Sequence, residues 1–249
     1  MNRFFVSQED INDSIVTIKG DDIKHIKNVL RLKENDKISV CDNQDNEYIV
    51  KLDNILNEEV TGTIIEEVDI RRESNINITL YQGFAKGSKM DMIIQKATEL
   101  GVKRIVPIIT DRAIVKINDK KKEDKKIDRF NKIAMEASKQ SKRGTVPEVS
   151  NILSLDKAIK EIQENGSFTI VPYEDENQVG VKDFIKDVKN RDINIIIGPE
   201  GGFEETEISQ LKSINSKIVS LGPRILRTET AGFTAIAIVM YELGDIGVV

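Results

Sequence analysis

From residue 76 onward, short apolar runs alternate with amphipathic helical stretches, and this constrains the fold more than any other feature. INITLYQ (76–82), KRIVPIIT (103–110), FTIVP (168–172), INIIIG (193–198) and KIVSLG (217–222) read as strands. Between them lies SKMDMIIQKATELG (88–101), with Ser88 as N-cap, Met90, Ile93, Ile94, Ala97 and Leu100 at helical spacing, and Gly101 as the stop. Further helices are predicted over 127–140, through Ile127, Phe130, Ala134 and Ala137, over 154–163, after Gly202, and from Thr230 to Leu243. Strands that are apolar on both sides and alternate with helices imply a parallel sheet covered on both faces.

The first seventy residues differ. SIVTI (14–18), KISVC (37–41), NEYIVKL (46–52) and VTGTIIEEV (60–68) are short strands, and DNQDN (42–46) reads as a hairpin turn. A short helix starts at Asp21 or Asp22, with Ile23, Ile26, Val29 and Leu30 on one side. Closely spaced strands of this kind predict a small β-barrel. RRESN (71–75) is a polar linker.

Composition removes several chemistries. The single histidine, His25, and single cysteine, Cys41, exclude a Cys₄ zinc site and an internal disulfide, and make a Ser-His-Asp triad elsewhere in the chain improbable. Cys41 has no basic neighbour in sequence and reads as a small buried strand residue. No metal is expected. No apolar run reaches the roughly 18 residues of a membrane span, and the start lacks a secretory pattern; the expected compartment is the cytoplasm. The net charge of −5 is unevenly spread. Residues 84–143 carry 17 Lys and Arg against 8 Asp and Glu, while the rest carries 20 against 34. A basic middle between acidic ends marks either an interaction surface or a solvated helix.

The chemistry concentrates in three strand-to-helix loops: VPYEDE (171–176), IIIGPEGGFEETE (195–207) and LGPRILRTETAGF (221–233). In parallel sheets ligands bind beyond the carboxyl ends of strands, where glycines admit close backbone approach. No GK[ST] follows, so this is not a phosphate-binding P-loop, and no GxGxxG supports a nicotinamide site. The acids after Gly202 disfavour a phosphate at that helix start. A phosphate-free ligand with an adenine and a cationic centre fits better.

IIIGPEGGFEETEI followed by LGPRILRTETA resembles the knotted SPOUT-class methyltransferases, and most closely the ribosomal small subunit methyltransferase E family, which methylates N3 of a uridine in 16S rRNA. The resemblance extends to MNRFF at the start, HIKNVLR (25–31), QGFAKGSKMDMIIQKATELGV (82–102) and MEASKQSKR (135–143). It implies an α/β protein: a PUA-like RNA-binding β-barrel over residues 1–72, then a SPOUT α/β domain over 73–249 closed by a C-terminal trefoil knot, a rare exception to unknotted topology. It further implies a homodimer acting on 16S rRNA or the small subunit. S-adenosyl-L-methionine would be cupped by Val171, Pro172 and Tyr173, by Gly198, Pro199, Glu200, Gly201 and Gly202, and by Leu221, Gly222, Ile225, Leu226 and Thr228. A bulky side chain at Gly201 is expected to fill that pocket. TAGF (230–233) departs from the family's small-residue run and leaves the role of Thr230 open.

Methylating N3 of uracil requires the imide to be unpaired, deprotonated and in line with the donor. The donor carries its own leaving group, so no covalent enzyme intermediate is needed, in keeping with a chain lacking an eligible cysteine. The protein must supply position and positive charge near the uracil carbonyl oxygens. Arg224 and Arg227 are the candidates. Glu229 or water would be the base; alternatively Arg227 and Glu229 pair to brace the loop. Candidate RNA contacts are Arg3, His25, Arg31, Lys86, Lys89 and Arg143. Ribose 2′-O methylation, guanine N1 methylation and a catalytically silent RNA-binding assembly protein remain alternatives.

Overall fold

The computed structural model describes residues 1–69, 71–113, 119–186 and 188–248. The chain divides into two compact units, one formed by Met1–Glu73 with Ser138–Val146, the other by Ser74–Ala137 with Pro147–Val249.

The first unit is built on β1 (Arg3–Phe5), β2 (Ile11–Asn12), β3 (Ile15–Ile18), α1 (Asp21–Lys24), β4 (Lys37–Cys41), β5 (Glu47–Ile55) and β6 (Val60–Val68). The strands form one sheet in the order β1-β4-β5-β6-β3-β2. β1 runs parallel to β4, and the other pairs are antiparallel. Among the described residues β1 and β2 do not pair, so the expected barrel is an open sheet. Its core comprises Phe4, Val16, Ile18, Ile38, Val40, Val50 and Leu52, closed by Ile23 and Ile26 from the helical segment.

That segment departs from the sequence expectation. After α1 the chain makes a π-type turn over His25–Val29, in which the Leu30 N–H donates to the His25 carbonyl five residues back. The wider turn rotates Val29 off the buried face, leaving it 70% exposed, while Leu30 still packs on the core.

The second unit contains β7 (Asn77–Gly83), α2 (Lys89–Glu99), β8 (Arg104–Ile109), most of α3 (Lys120–Ser141), β9 (Glu148–Val149), β10 (Leu153–Ser154), α4 (Leu155–Asn165), β11 (Phe168–Pro172), α5 (Val181–Ile185), β12 (Asp192–Ile197), α6 (Glu205–Ser213), β13 (Lys217–Val219) and α7 (Thr228–Glu242). Every strand pairing in it is parallel, in the order β10-β8-β7-β12-β11-β13 with β9 also on β8. Alternate residues face different helices. Tyr81 and Ile196 join a cluster with Leu155, Ala158 and Ile162 of α4 and Ile208 and Leu211 of α6. On the other face α7 packs on β7, β12 and α2.

α7 starts two residues before the predicted Thr230. Arg227 is its N-cap in extended conformation, and the Ala231 N–H donates to the Arg227 carbonyl at 2.8 Å. Thr228 and Glu229 are therefore in the first helical turn, not in a loop. The short α5 has no counterpart in the sequence reading, because five residues are too few to show a helical period.

Candidate functional site

β12, β11 and β13 are neighbours in the sheet, so the three loops that follow them converge at one edge of it. They border two adjoining pockets. The first is lined by Tyr173, Asn177, Ser220, Leu221, Gly222, Pro223 and Arg224. The second is lined by Lys89, Ile197, Gly198, Pro199, Glu200, Gly202, Phe203, Arg227 and Thr228. Pro172, Glu174, Ile225, Leu226 and Ala231 line both. Ile225 is 88% exposed, an apolar side chain held open at the pocket mouth.

Glycine is required where the loops close. Gly202 has φ +71, and a Cβ there would collide with the Glu174 carboxylate. At the end of β7, a Cβ on Gly83 would collide with the Pro199 nitrogen, so the central strand abuts the 198–199 backbone.

Three residues expected at the site stand elsewhere. Val171 is fully buried in the α4–α6 cluster, because strand alternation turns it away from its neighbour Pro172; Tyr173 packs against the edge of the same cluster. Gly201 lies outside both linings, and a Cβ there would point at Arg112, 3.1 Å from its Cβ, so a bulky residue at 201 presses on Arg112 instead of filling the pocket. Glu229 is 8% exposed in the first turn of α7, lines neither pocket, and has one carboxylate oxygen without a hydrogen-bond partner.

The 198–204 loop is held by ionic contacts from two sides. Glu200 accepts from Lys89 Nζ at 3.1 Å and from the Lys86 backbone N–H at 3.2 Å. Burial pushes the Glu200 carboxyl upward, but its own backbone N–H, Lys89 and the Lys86 amide outweigh it and hold it below the usual carboxylate range. Arg112 donates to both oxygens of Glu204, at 2.7 and 2.9 Å, and to the Gly201 carbonyl at 3.1 Å. The Glu204 carboxyl is held low mainly by Arg112. Glu207 reaches back to the Glu204 N–H at 2.8 Å and accepts from the Asp111 N–H at 2.9 Å, so one acid after Gly202 caps α6. The Tyr173 hydroxyl is pushed up by burial and by its bond to Asp175.

Arg224 and Arg227 differ from these. Both side chains are exposed at the pockets, and neither guanidinium forms a hydrogen bond or ion pair among the described residues; no bracing pair with Glu229 exists there.

The expected RNA contacts divide by burial. Arg3 is 8% exposed, donates to the Lys142 and Arg143 carbonyls at 2.8 and 2.6 Å, and pairs with Glu47 at 2.5 Å. Arg143 is 4% exposed and forms a two-point pair with Glu73, at 3.1 and 2.6 Å. Both guanidinium groups are consumed inside the first unit, which corrects the expectation that they reach RNA. His25 is half-buried, edge-on to Phe4 with ring centres 6.2 Å apart. Arg31 is exposed at φ +53. In the second unit Lys86 is exposed and Lys89 half-buried in its pair with Glu200.

Burial pushes the Cys41 thiol up to about 12, which leaves it inert as a nucleophile at neutral pH. Residues that the sequence reading passed over are Glu174, Phe203 and Ala231 in the linings and Gln82 behind them. Glu174 was legible as the next residue of the loop; Gln82 carried no signal, being one polar residue in an apolar strand.

Comparison with known families assigns the parallel sheet with its glycine-rich loops, and the small β unit, to RNA methyltransferases. A family model described as an RNA methyltransferase domain matches residues 72–240, and one described as an RNA methyltransferase PUA domain matches 18–65. The ribosomal RNA small subunit methyltransferase E of Bacillus subtilis is 35% identical over 250 residues, 97% of each chain. That of Aquifex aeolicus is 31% identical, covering 95% of this chain and 98% of its own. The structure of the Neisseria gonorrhoeae protein of that name, bound to S-adenosyl methionine, matches with TM-score 0.86 and 31% identity over 98% of this chain and 99% of that one. This chain belongs to the ribosomal RNA small subunit methyltransferase E family. Among the described residues no helix is long and apolar enough to cross a membrane.

Proposed function

We propose that this chain uses S-adenosylmethionine to methylate N3 of a uridine in 16S rRNA of the small ribosomal subunit. The observation that carries the reading is the pair of adjoining pockets over three neighbouring strands, with two unpaired arginines at their rim. The residues present fit such a donor. The glycine loops bring backbone to the pocket walls, and Glu174, common to both linings, suits a cationic centre better than a phosphate. The bound donor in the Neisseria gonorrhoeae relative supports the same reading.

Pro172, Tyr173, Gly198, Pro199, Gly202, Leu221, Gly222, Ile225, Leu226 and Thr228 would hold the donor. When bound, it supplies an electrophilic methyl on a sulfonium that is its own leaving group. Arg224 and Arg227 offset the charge that spreads over the uracil carbonyl oxygens once N3 has lost its proton. Glu229 is buried away from both pockets, so water, or Glu174 at the pocket wall, takes that proton. Residues 1–72 act as the PUA-like RNA-binding part, with His25 and Arg31 as exposed or half-exposed contacts, and Lys86 supplies a phosphate contact from the second. Residues 73–249 form the methyltransferase part, threaded as a trefoil knot and working as a homodimer in the cytoplasm.

Mass mapping of 16S rRNA from a strain lacking the protein tests the reaction. The expected result is loss of one N3-methyluridine, restored by the intact chain. Loss of a ribose 2′-O-methyl or N1-methylguanosine would transfer the activity to that product, and unchanged rRNA would leave an RNA-binding assembly protein.

A further inference from the structure

Gln82, the penultimate residue of β7, is fully buried and lies behind the pockets. Its Nε2 donates to the Gly83 carbonyl at 3.1 Å and to Thr228 Oγ1 at 2.9 Å. Thr228 Oγ1 donates in turn to the Gly198 carbonyl at 2.5 Å. The polarity of this relay is forced. Both carbonyls only accept, so the amide nitrogen must face Gly83 and the hydroxyl proton must point at Gly198. A hydroxyl that accepts one bond donates a stronger second one. Room for the amide is left by Gly232 of α7, where a Cβ would stand 3.3 Å from Gln82 Oε1. That oxygen has no hydrogen-bond partner, so the hydrogen bonds given for the side chain are all made by its nitrogen.

We infer that Gln82 is a positioning residue for the methyl-donor pocket: acting through Thr228, it locks the Gly198 carbonyl to the first turn of α7. Two of the three loops thereby become one wall, anchored on the central strand of the sheet. The inference rests on the donor reading above, and it assigns a role to a residue that lines neither pocket.

The test compares Gln82→Leu, Thr228→Val, the double variant and Thr228→Ser. Donor affinity is measured by calorimetry with S-adenosylmethionine, and hydrogen exchange is followed on ligand-free protein at the amides of Gly202 and Ala231, which donate to Pro199 and Arg227 carbonyls. Gln82→Leu and Thr228→Val are each expected to weaken donor binding about tenfold, the scale of one lost hydrogen bond. The rise falls on the donor KM more than on kcat. The double variant should be no weaker than the weaker single one, since both break one relay. Thr228→Ser, which keeps the hydroxyl, should keep the slow exchange at both amides that Thr228→Val loses. Both amides should exchange faster in Gln82→Leu, whatever ligand the pocket takes. Additive losses in the double variant, or unchanged exchange at both amides, would overturn the inference. If the intact protein binds no donor, the donor reading fails, and the exchange data alone decide whether Gln82 couples the loops. Should Gln82→Leu not fold, the contrast of Thr228→Val with Thr228→Ser carries the same decision: equal exchange and equal affinity in the two would overturn it.

Discussion

Arg112 grips Glu204 through two guanidinium nitrogens, at 2.7 and 2.9 Å, while a third N–H holds the carbonyl of Gly201 at 3.1 Å. The pair is exposed, so its contribution to global stability is small. Its effect is local, since it fixes the far side of the 198–204 loop. Arg112→Ala is expected to leave the unfolding midpoint nearly unchanged while weakening donor binding severalfold. A large drop in the midpoint with unaltered binding would show a scaffold role instead.

Filling the pocket separates the two sides of that loop. Ala231 lines both pockets, whereas the Gly201 Cβ direction meets Arg112. Ala231→Trp should abolish calorimetric binding of S-adenosylmethionine in protein that stays folded by circular dichroism. Gly201→Trp should weaken binding only in proportion to its disturbance of Arg112. Normal binding by Ala231→Trp would move the donor out of these pockets.

Because Arg224 and Arg227 have no partners among the described residues, removing them breaks nothing in the fold. Arg224→Ala and Arg227→Ala should each change stability by no more than about 0.5 kcal/mol, as surface substitutions do. Methyl transfer to rRNA should fall about 100-fold or more if their charge meets the reacting base. Activity that survives both substitutions would remove them from the chemistry.

Arg143 calls for the opposite outcome. Its pair with Glu73 is buried, with 5% and 6% of the two side chains exposed. Arg143→Ala removes the guanidinium from a buried carboxylate that keeps the Gly144 and Thr145 N–H groups, and should cost about 3 kcal/mol, read from urea unfolding. Arg31→Ala, at an exposed position, should leave unfolding unchanged and weaken RNA binding. A stable Arg143→Ala protein with lost RNA affinity would reverse the assignment.

The Glu161 carboxyl is held below its usual range by Arg104, aided by the Tyr81 hydroxyl at 2.8 Å. A folded pKa below the unfolded one adds stability that is present above the unfolded value, about 4.3, and is lost as pH falls through the folded value. Glu161→Gln should therefore lower stability at neutral pH and flatten its decline between about pH 5 and the folded pKa. Urea melts across that range check it; parallel pH curves for the two proteins would refute the linkage.

How much of this was legible beforehand follows the range of the forces involved. The apolar periods of INIIIG and SKMDMIIQKATELG located β12 and α2 within one or two residues, because burial of one face repeats along the chain. The Gly-Pro loops marked the strand ends at which the two pockets open, because glycine and proline interrupt the apolar period there. Val171 shows where such reasoning stops, since a one-residue step along β11 sends it into the core and Pro172 to the pocket. The π-type turn at His25–Val29 likewise upset a helical period that five residues could not reveal.

By itself, the sequence determined the order of the longer strands and helices, the parallel character of the second unit, the buried Cys41 and the loops that border the pockets. All of these depend on local spacing and composition. Only the tertiary structure decided which charges are spent and which are free. Arg3 finds the Arg143 carbonyl 140 positions away, Arg143 finds Glu73 at 70, and Gln82 finds Thr228 at 146. A guanidinium or an amide looks the same in sequence whether it is buried against a partner or open to water. The fold alone brings up the partner, and removal from water makes that partner obligatory.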